Sequence, residues 1–362
     1  MTCIAKQFYL HYLKKQNLIT HMFQASQITN QTIWQQFHAQ QDPQLFVQSW
    51  QYAEFMRNYG DDAFFVGISD KNNKLIGGSL VAVINAKRGR FYYLPYGPIL
   101  PEKDRTEAFK ALHTFLKQRA NQDKVNFIRI SPFWEDNETN KAIFKQNQYR
   151  QAPMHMIAET TWVLPLNKEP DALFKEMRQN HRNLIRRADR DGVKITSSTN
   201  PADLYKVHEL LKITSVRHHF TPFSLKYLQT EFNAFAPDNV TIYNAHYDNK
   251  IIAASVVFFY GDTAIYRHGA SILDEQYQKI PATYAIQWQA IQDAHSRGLK
   301  YYNFWGIAPE GATKHPFYGI TRFKKGFGGE QYDLLHCQDH PLNFKYWINY
   351  IIESARRIKR GF

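Results

Sequence analysis

The sequence has 362 residues, of which 44% are hydrophobic and 15% aromatic, enough for two domains with real cores, which excludes an intrinsically disordered chain. Lysine and arginine number 45 against 32 aspartate and glutamate residues, so the formal charge is +13. An excess of this size indicates an anionic partner, such as nucleic acid, a phosphorylated substrate or an anionic membrane face.

Cysteine and histidine predict neither a disulfide framework nor a metal site. The two cysteines, Cys3 and Cys337, cannot form a framework, and neither has a partner at metal-ligand spacing. His218 and His219 form a pair without a third ligand at a helical offset. We therefore predict no metal and no cofactor.

The sequence predicts no export signal and no membrane span. Lys6, Lys14 and Lys15 interrupt the first apolar stretch, which therefore lacks the apolar core of a signal peptide. The longest apolar run, residues 251–260, is about half a membrane span and predicts a buried strand. We expect a cytoplasmic monomer and leave peripheral contact with the inner membrane face open.

The first half of the chain predicts one domain, residues 22–158, after an extension over residues 1–21. A capped helix is predicted over residues 26–40, with Ser26 or Thr29 as its N-cap. The other elements predicted there are a helix over 46–60, strands over 63–70, 74–85 and 88–98, a helix over 106–122 and a strand over 125–132.

The second half, residues 159–335, predicts the same order again. Its elements are a strand over 160–166, one long basic helix over 171–192, a helix over 202–220, a strand meander over 240–271, a helix over 281–300 and a strand over 300–307. The repeated order matches the N-acetyltransferase-like (GNAT) fold. The predicted fold is therefore α/β (α+β), with two tandem GNAT-like domains and a C-terminal helix in residues 336–362 that packs back on the first.

The basic helix over 171–192 is a candidate site for phosphate groups. Its cations are dense and few carboxylates compensate them, and guanidinium forks suit phosphates. The candidates for binding tRNA or another phosphate are Arg178, Arg182, Arg186 and Arg187. A solvated helix face explains the same pattern, and the sequence leaves both interpretations open.

The segments where a GNAT enzyme would hold CoA lack glycine. Such enzymes bind the pyrophosphate on a glycine-rich loop at a helix N-terminus. The matching segments here, residues 99–110 and 275–287, contain none, and Pro281 removes one N–H donor. This argues against an acyl-CoA enzyme, although a GNAT-type N-acyltransferase using acyl-CoA or a carrier-bound acyl group stays the alternative.

Five stretches in chain order resemble landmarks of the Fem (FemABX) family. They are QSWQYAEFMRNYG, YLPYGP, MRQNHRNLIRRADRDGV, KYYNFWGI and RFKKGFGG. The resemblance implies two GNAT-like domains and a non-ribosomal transfer of an amino acid from aminoacyl-tRNA to the stem-peptide amine of a peptidoglycan precursor, UDP-MurNAc-pentapeptide or lipid II. The segment ITSVRHHFTPFSLKYL leaves no room for a coiled-coil arm, so the chain resembles the arm-less members.

The resemblance implies that Lys324, with Phe323 before it, is catalytic. A fixed ammonium beside the reacting carbonyl would stabilise the oxyanion that forms when an amine attacks an aminoacyl ester. Lys325 is expected to hold a tRNA phosphate, and the glycines after it to let the backbone turn beside the ligand. Without the resemblance, a β-hairpin with solvated lysines explains the spacing equally.

Further substrate-binding residues are carried over from the family by position. Arg217 matches an arginine that contacts the diphosphate of the precursor, and Tyr266 and Tyr93 match or lie near pocket tyrosines. Met56 stands where a lysine is frequent, and the adjacent Arg57 is the expected substitute, although it points about 100° away on a helix. Asn303 stands where aspartate is common in the family.

A third hypothesis is a non-enzymatic basic module that binds RNA or membrane. The C-terminal cations that could contact anionic lipid are Arg356, Arg357, Lys359 and Arg360. They fit a solvated helix end equally well, because cations are favoured there.

Overall fold

The computed structural model describes residues 22–87, 89–218, 221–313, 315 and 317–360. The predicted extension over residues 1–21 lies outside the described residues, as do the side chains of Arg217, His218 and Arg360. The described chain forms two seven-stranded sheets with helices around them, and the prediction of an α/β fold is confirmed.

The first sheet is built from β1 to β6 and from β14, near the C-terminus. Its strands are β1 (Phe23–Ile28), β2 (Asp62–Asp70), β3 (Leu75–Ala86), β4 (Gly89–Tyr96), β5 (Phe127–Pro132), β6 (Arg150–Gln151) and β14 (Gln338–Pro341). They lie in the order β1-β2-β3-β4-β5-β14-β6. The helices of this part are α1 (Gln31–His38), α2 (Trp50–Tyr59), α3 (Arg105–Asp123) and α4 (Glu138–Gln146).

The second sheet contains the remaining strands. These are β7 (Thr160–Pro165), β8 (Lys194–Ser198), β9 (Val240–Tyr247), β10 (Lys250–Tyr260), β11 (Thr263–Ser271), β12 (Tyr301–Gly306) and β13 (Glu330–Asp333), in the order β13-β7-β12-β11-β10-β9-β8. The helices are α5 (Pro170–Glu176), α6 (Gln179–Arg190), α7 (Leu204–His218), α8 (Leu225–Phe235), α9 (Glu275–Gln278), α10 (Ala282–Ser296) and α11 (Tyr318–Lys325), followed by α12 (Lys345–Arg360).

The two sheets share one strand pattern. In each, four antiparallel strands end in a parallel pair, β4 with β5 and β11 with β12. The first pair runs from Tyr92 opposite Ile128 to Tyr96 opposite Pro132. The second is shorter, from Thr263 opposite Tyr301 to Ile265 opposite Asn303. Strands β11 and β12 therefore separate after fewer paired residues than β4 and β5 do, and they separate next to the segment that carries Lys324.

A continuous apolar core joins the two halves. Trp34 and Phe46 from the first half lie in the same buried cluster as Phe232 and Phe258 from the second. Phe46 packs directly on Phe258, with ring centroids 5.6 Å apart. Removing this much aromatic surface from water strongly favours the assembled form.

The C-terminal segment returns to the first sheet. Strand β14 lies between β5 and β6 and pairs with both, and the fully buried Tyr346 of α12 packs on Phe127 of β5. The proposed boundary between residues 158 and 159 falls in the connection from β6 to β7. We keep the division into 22–158 and 159–335, with 336–362 added to the first domain, as a proposal.

Two predicted helices are present with different bounds. Ser26 lies in strand β1, opposite Gly67, and the N-cap of α1 is Asn30 instead of Ser26 or Thr29. A pairing partner in β2 overrides the local capping pattern. The long basic helix is broken into α5 and α6, because Met177 and Arg178 are extended, with ψ of 152° and 140°.

Within the described residues, no helix is both long and apolar enough to cross a membrane. The same residues contain no group of three or more histidine, cysteine, aspartate or glutamate side chains placed to hold a metal ion.

Candidate active site

Helix α11 carries Lys324 on its buried face. Thr321, one turn earlier, fastens this face, because its hydroxyl accepts a hydrogen bond from the Ala308 N–H at 2.8 Å and donates to the Phe317 carbonyl at 2.7 Å. The helix thus packs against the chain that leaves β12. The motif forms a helix here, and the hairpin alternative is wrong for this segment.

The Lys324 ammonium is buried without a carboxylate. Its side chain is 5% exposed, and Nζ donates to the Gly306 carbonyl at 2.6 Å. Nζ also lies 5.8 Å from the ring centroid of Tyr266. Among the described carboxylates, none is within ion-pair distance of Nζ. Burial therefore lowers the pKa of Lys324 to about 7, because desolvation disfavours the charged form.

A bend at the end of β12 presents the Gly306 carbonyl. Trp305 has a φ of 66°, a left-handed conformation that is uncommon for a bulky residue. The Asn303 carboxamide oxygen accepts a hydrogen bond from the Trp305 N–H at 2.7 Å, which holds the bend. The asparagine that departs from the family pattern therefore has a structural role in this chain.

The glycines after Lys324 fit against the protein itself. A Cβ on Gly326 would lie 1.9 Å from Cε1 of His181, and one on Gly329 would lie 2.3 Å from the Val163 carbonyl oxygen. Gly328 and Gly329 do turn the chain, with φ of 88° and 96°. These glycines were expected to lie close to a ligand. In the structure they lie close to β7 and α6 instead.

The site neighbours of Lys324 are Phe323, Tyr266 and, further out, Lys325. The Phe323 carbonyl contacts Nε2 of His181 at 2.8 Å, and its ring packs on Tyr284 and Phe327. Burial raises the pKa of Tyr266 to about 12, although a hydrogen bond with Ser255 lowers it in part. Lys325 is half-buried, donates to Gln331 at 3.1 Å and lies over the Trp162 ring.

Other predicted substrate residues lie apart from this group. The buried Tyr93 hydroxyl lies 3.5 Å from Ser131, and no hydrogen bond or ring contact joins this tyrosine to Lys324 or Tyr266 in the described chain. Arg57 donates twice to the Ala63 carbonyl, at 3.1 and 2.7 Å. Arg217 lies in the last turn of α7, and its side chain is outside the described residues.

Three of the four predicted phosphate-binding arginines make side-chain contacts within the protein, and the fourth makes a backbone contact. Arg182 donates to the carbonyls of Lys175 and Met177 across the helix break, Arg186 stacks over Phe174, and Arg187 contacts Asp191 and Lys279. Arg178 is exposed, and its N–H donates to the Gly326 carbonyl at 2.9 Å. This last contact explains the break in the helix and brings α6 beside the Lys324 motif.

A buried ionic cluster lies on the other face of β11, and no sequence pattern predicted it. Glu231 of α8 pairs with Arg267 at 2.8 Å and with His268 at 2.7 Å. Burial alone would raise the pKa of Glu231, but Arg267 and His268 hold it at about 2. Glu231 is 36 or more positions from the other two residues in the chain, a separation at which charge patterning is not informative.

A cavity of about 310 Å³ adjoins the Lys324 site. Gly306 and Ile307 form part of its wall, and Glu159, His315 and His336 contribute polar groups. Nδ1 of His336 contacts Glu159 at 2.7 Å and Nε2 contacts the Ala152 carbonyl at 2.8 Å. Burial lowers the pKa of His336, but these two acceptors outweigh it and leave the pKa raised.

The chain is similar to aminoacyltransferases and to tandem GNAT structures. The FemAB family model matches residues 28–164, 150–250 and 242–335. Aminoacyltransferase FemB of Staphylococcus epidermidis is 23% identical over 406 aligned positions, which cover 87% of this chain and 95% of FemB. The alignment is longer than the 362 residues here, so FemB carries insertions that this chain lacks.

Two solved structures show the same fold. A crystal structure of FemX superposes with a TM-score of 0.78 at 16% identity and covers 91% of this chain and 100% of FemX. A tandem GNAT protein from the clavulanic acid biosynthesis pathway has a TM-score of 0.54 at 10% identity and covers 89% and 99%. The tandem GNAT-like fold is confirmed. Since the family model spans well over half of the sequence, the chain belongs to the FemAB family and is an aminoacyltransferase.

Proposed function

We propose that this enzyme moves an amino acid from aminoacyl-tRNA to the stem-peptide amine of a peptidoglycan precursor, and so builds an interpeptide bridge. The acceptor is UDP-MurNAc-pentapeptide or lipid II. The proposal rests on the burial of Lys324 in a chain of the FemAB family. The Nζ atom of this lysine contacts a carbonyl and an aromatic ring. A reaction that consumes aminoacyl-tRNA takes place in the cytoplasm.

The chemistry needs a cation beside the reacting carbonyl. The acceptor amine attacks the ester carbon, a C–N bond forms, and negative charge develops on the carbonyl oxygen. An ammonium fixed in a water-poor site stabilises that oxyanion more than the neutral ester. The hydrogen bond to Gly306 and the packing of α11 hold the lysine before the substrates arrive, so little reorganisation is needed.

Lys324 is also suited to move the proton. With a pKa of about 7, part of the population carries a neutral amine at neutral pH. This form accepts the proton of the attacking amine and becomes the ammonium that the oxyanion requires. When the ester C–O bond breaks, the ammonium returns the proton to the ribose oxygen of tRNA, and Lys324 is regenerated.

The remaining site residues take supporting roles in this proposal. Phe323 fixes α11 through its aromatic contacts, and Tyr266 lines the lysine. Arg178 and Lys325, which border the motif on its outer side, contact tRNA phosphates. Arg217 binds the diphosphate of the precursor.

For five other residues, binding to tRNA or to the precursor stays a prediction, and their contacts in the structure support it less. Arg182 and Arg187 already donate hydrogen bonds within the protein, which leaves their guanidinium groups fewer free donors for tRNA, and Arg186 has one face of its guanidinium stacked on Phe174. The same holds for Arg57 toward the precursor. Tyr93 would need a path from the buried core to the substrate.

A transfer assay tests the proposal. The purified protein is mixed with a pool of radiolabelled aminoacyl-tRNAs and with either precursor, and label in the precursor is measured. We expect transfer that RNase abolishes and that Lys324→Met lowers by about 10²–10³, the usual effect of losing one oxyanion donor. Lys141→Met is the matched control, since Lys141 is an exposed lysine that pairs with Asp136.

The outcomes separate the reaction from the role of the lysine. Transfer that persists in folded Lys324→Met would refute the role assigned to Lys324. No transfer to either precursor, together with calorimetric binding of CoA, would favour the acyl-CoA alternative instead. Equal loss in Lys141→Met would show that the assay responds to net charge alone.

A further inference from the structure

The C-terminal helix α12 and the residue before it, Phe344, expose an apolar stripe, on which the described chain places only Arg150, over Trp347. Phe344, Ile351 and Ile358 are 74%, 67% and 82% exposed, and Trp347 and Ile348 are about half exposed. Single exposed apolar residues are ordinary on protein surfaces. Five on one short segment are not, and such a patch marks an interaction site.

These side chains share one face of the helix. At 100° per residue, the four positions within the helix fall in an arc of about 100°, from Trp347 at one edge to Ile348 at the other, and Phe344 immediately precedes the helix. The opposite face carries Tyr346, Asn349 and Glu353. Tyr346 packs on Phe127 and Glu353 pairs with Arg129, both in the first sheet, and Asn349 donates a hydrogen bond to Glu353. The helix is therefore anchored on one side and apolar on the other.

Cations border the stripe along both edges. Lys345, Arg356 and Lys359 are exposed and lie beyond Ile348 on the helical wheel. At the other edge, the Arg150 guanidinium stacks 4.5 Å over the Trp347 ring. The one acidic residue between 345 and 360, Glu353, is bound to Arg129 on the inner face. The outer surface of this helix is thus apolar in the middle and cationic at its margins.

We propose that α12 docks this protein on an anionic membrane surface. The apolar stripe enters the boundary between headgroups and acyl chains, while the flanking lysines and arginines stay at the level of the lipid phosphates, as in interfacial amphipathic helices. The helix lies in the plane of the interface, since its inner face stays packed on the protein. The net charge of +13 acts in the same direction. The proposal does not depend on the transfer reaction.

Charge favours a lipid surface over a protein partner. Protein interfaces are depleted of charged residues in their cores and of lysine relative to the rest of the surface. The exposed charged side chains that the structure describes in α12 are all cations, and the aromatic residue at the edge of the stripe, Trp347, is of the type that prefers the membrane interface.

Vesicle flotation with the full-length protein tests the proposal. The probes are vesicles of phosphatidylcholine alone and of phosphatidylcholine with phosphatidylglycerol. We expect binding to the anionic vesicles that weakens with salt, and a loss of about tenfold or more in Ile351→Gln/Ile358→Gln, because each isoleucine loses its burial in lipid. Ile33→Gln/Leu273→Gln is the matched control, because both positions are about half exposed elsewhere on the surface.

A second readout locates the contact. Quenching of tryptophan fluorescence by brominated lipid should fall in Trp347→Phe, while thermal unfolding of every variant should match that of the wild type. The proposal is overturned if the wild type does not float, or if the stripe variant floats as well as the control. It is also overturned if light scattering shows a dimer that the same isoleucine substitutions dissociate, which would assign the stripe to a second copy.

Discussion

Two buried cations, Arg129 in strand β5 and Lys324 in helix α11, are held in opposite ways. Arg129, in β5, is 2% exposed and pairs with Asp339 at 2.7 Å and with Glu353 at 2.8 Å. Lys324, beside the end of β12, has a carbonyl and a ring instead. Burial would lower the pKa of Arg129, but the two carboxylates raise it well above its usual value, whereas the pKa of Lys324 falls to about 7.

The difference separates a structural cation from the one that we propose for catalysis. Arg129 holds β14 and α12 on the first sheet through its two ion pairs, and its charge is compensated. The charge of Lys324 is not compensated, so it opposes folding and becomes favourable only when a negative charge develops nearby. A buried cation without a carboxylate partner therefore indicates a functional site more strongly than the burial of a cation alone.

Arg129→Met should produce the largest loss of stability. The substitution leaves the fully buried Asp339 without its partner, so the free energy of unfolding should fall by about 3–5 kcal/mol. Because burial raises the pKa of Asp339 even beside Arg129, the deficit should shrink as acid protonates this carboxyl. Denaturant unfolding at several pH values measures both effects.

Arg150→Met is the control for that experiment. Arg150 also contacts α12, but it is exposed and stacks on Trp347, so we expect a loss of under about 1 kcal/mol. Equal losses in the two variants would show that the ion pairs of Arg129 contribute no more than ordinary surface contacts.

Lys324→Met should change the free energy of unfolding in the opposite direction and stabilise the protein. The folded pKa of about 7 lies below the ordinary value of 10.5, so the unfolded chain binds more protons between these pH values and wild-type stability rises with pH there. At pH 7 or lower the variant should gain about 3 kcal/mol, after the loss of the hydrogen bond to Gly306 is included.

The pH dependence provides the decisive test of that gain. The difference between variant and wild type should fall steadily from pH 7 toward pH 10.5, and Lys141→Met should show no such trend. A difference that stays constant over this range would mean that Lys324 titrates normally in the folded protein.

The long elements of the fold could be predicted because their own residues determine them. The apolar runs of β2 to β5 and β9 to β11 and the periodic pattern of α3 are local signals. Strand β14 has the sequence Gln338-Asp339-His340-Pro341, which carries no strand signal. Its burial comes from β5 and β6 on either side, which no local pattern contains.

The site was predicted in part for the same reason. The FKKGFGG motif identified Lys324 through its resemblance, but spacing alone fitted solvated lysines equally well. The burial of this lysine depends on the bend at Trp305, which lies 19 positions away in the chain. The break between α5 and α6 likewise depends on the distant Gly326 carbonyl. Each feature arises where two remote segments meet.

Gly326→Ala tests whether the contact with His181 holds helix α11 in position. We expect a loss of stability intermediate between those of the other variants. The new Cβ would overlap the His181 ring, which is held by Phe323 and packed against Tyr284 and Phe327. Overpacking of this kind should cost about 1–3 kcal/mol of stability and lower transfer by moving α11. Denaturant unfolding and the transfer assay measure the two effects.

Gly319→Ala is the matched control, because it lies in the same helix with nothing within 4 Å of its added Cβ. Alanine should stabilise that position by about 0.5–1 kcal/mol. If both variants behaved alike, the contact with His181 would not determine the position of α11.

Lys325→Met should have the smallest effect and sharpens the comparison between neighbouring lysines. Lys325 is half-buried and its ammonium contacts Gln331 and the Trp162 ring, so the cost in stability should be under about 1 kcal/mol. If it contacts one tRNA phosphate, the plot of log affinity for tRNA against log salt should become shallower by about 0.7–0.9. The single-turnover rate at saturating aminoacyl-tRNA should stay within a few-fold of the wild type, since Lys324, the proposed oxyanion donor, is still present. A collapse of that rate, with the salt dependence unchanged, would instead place Lys325 at the carbonyl and leave Lys324 as the residue that shapes the site.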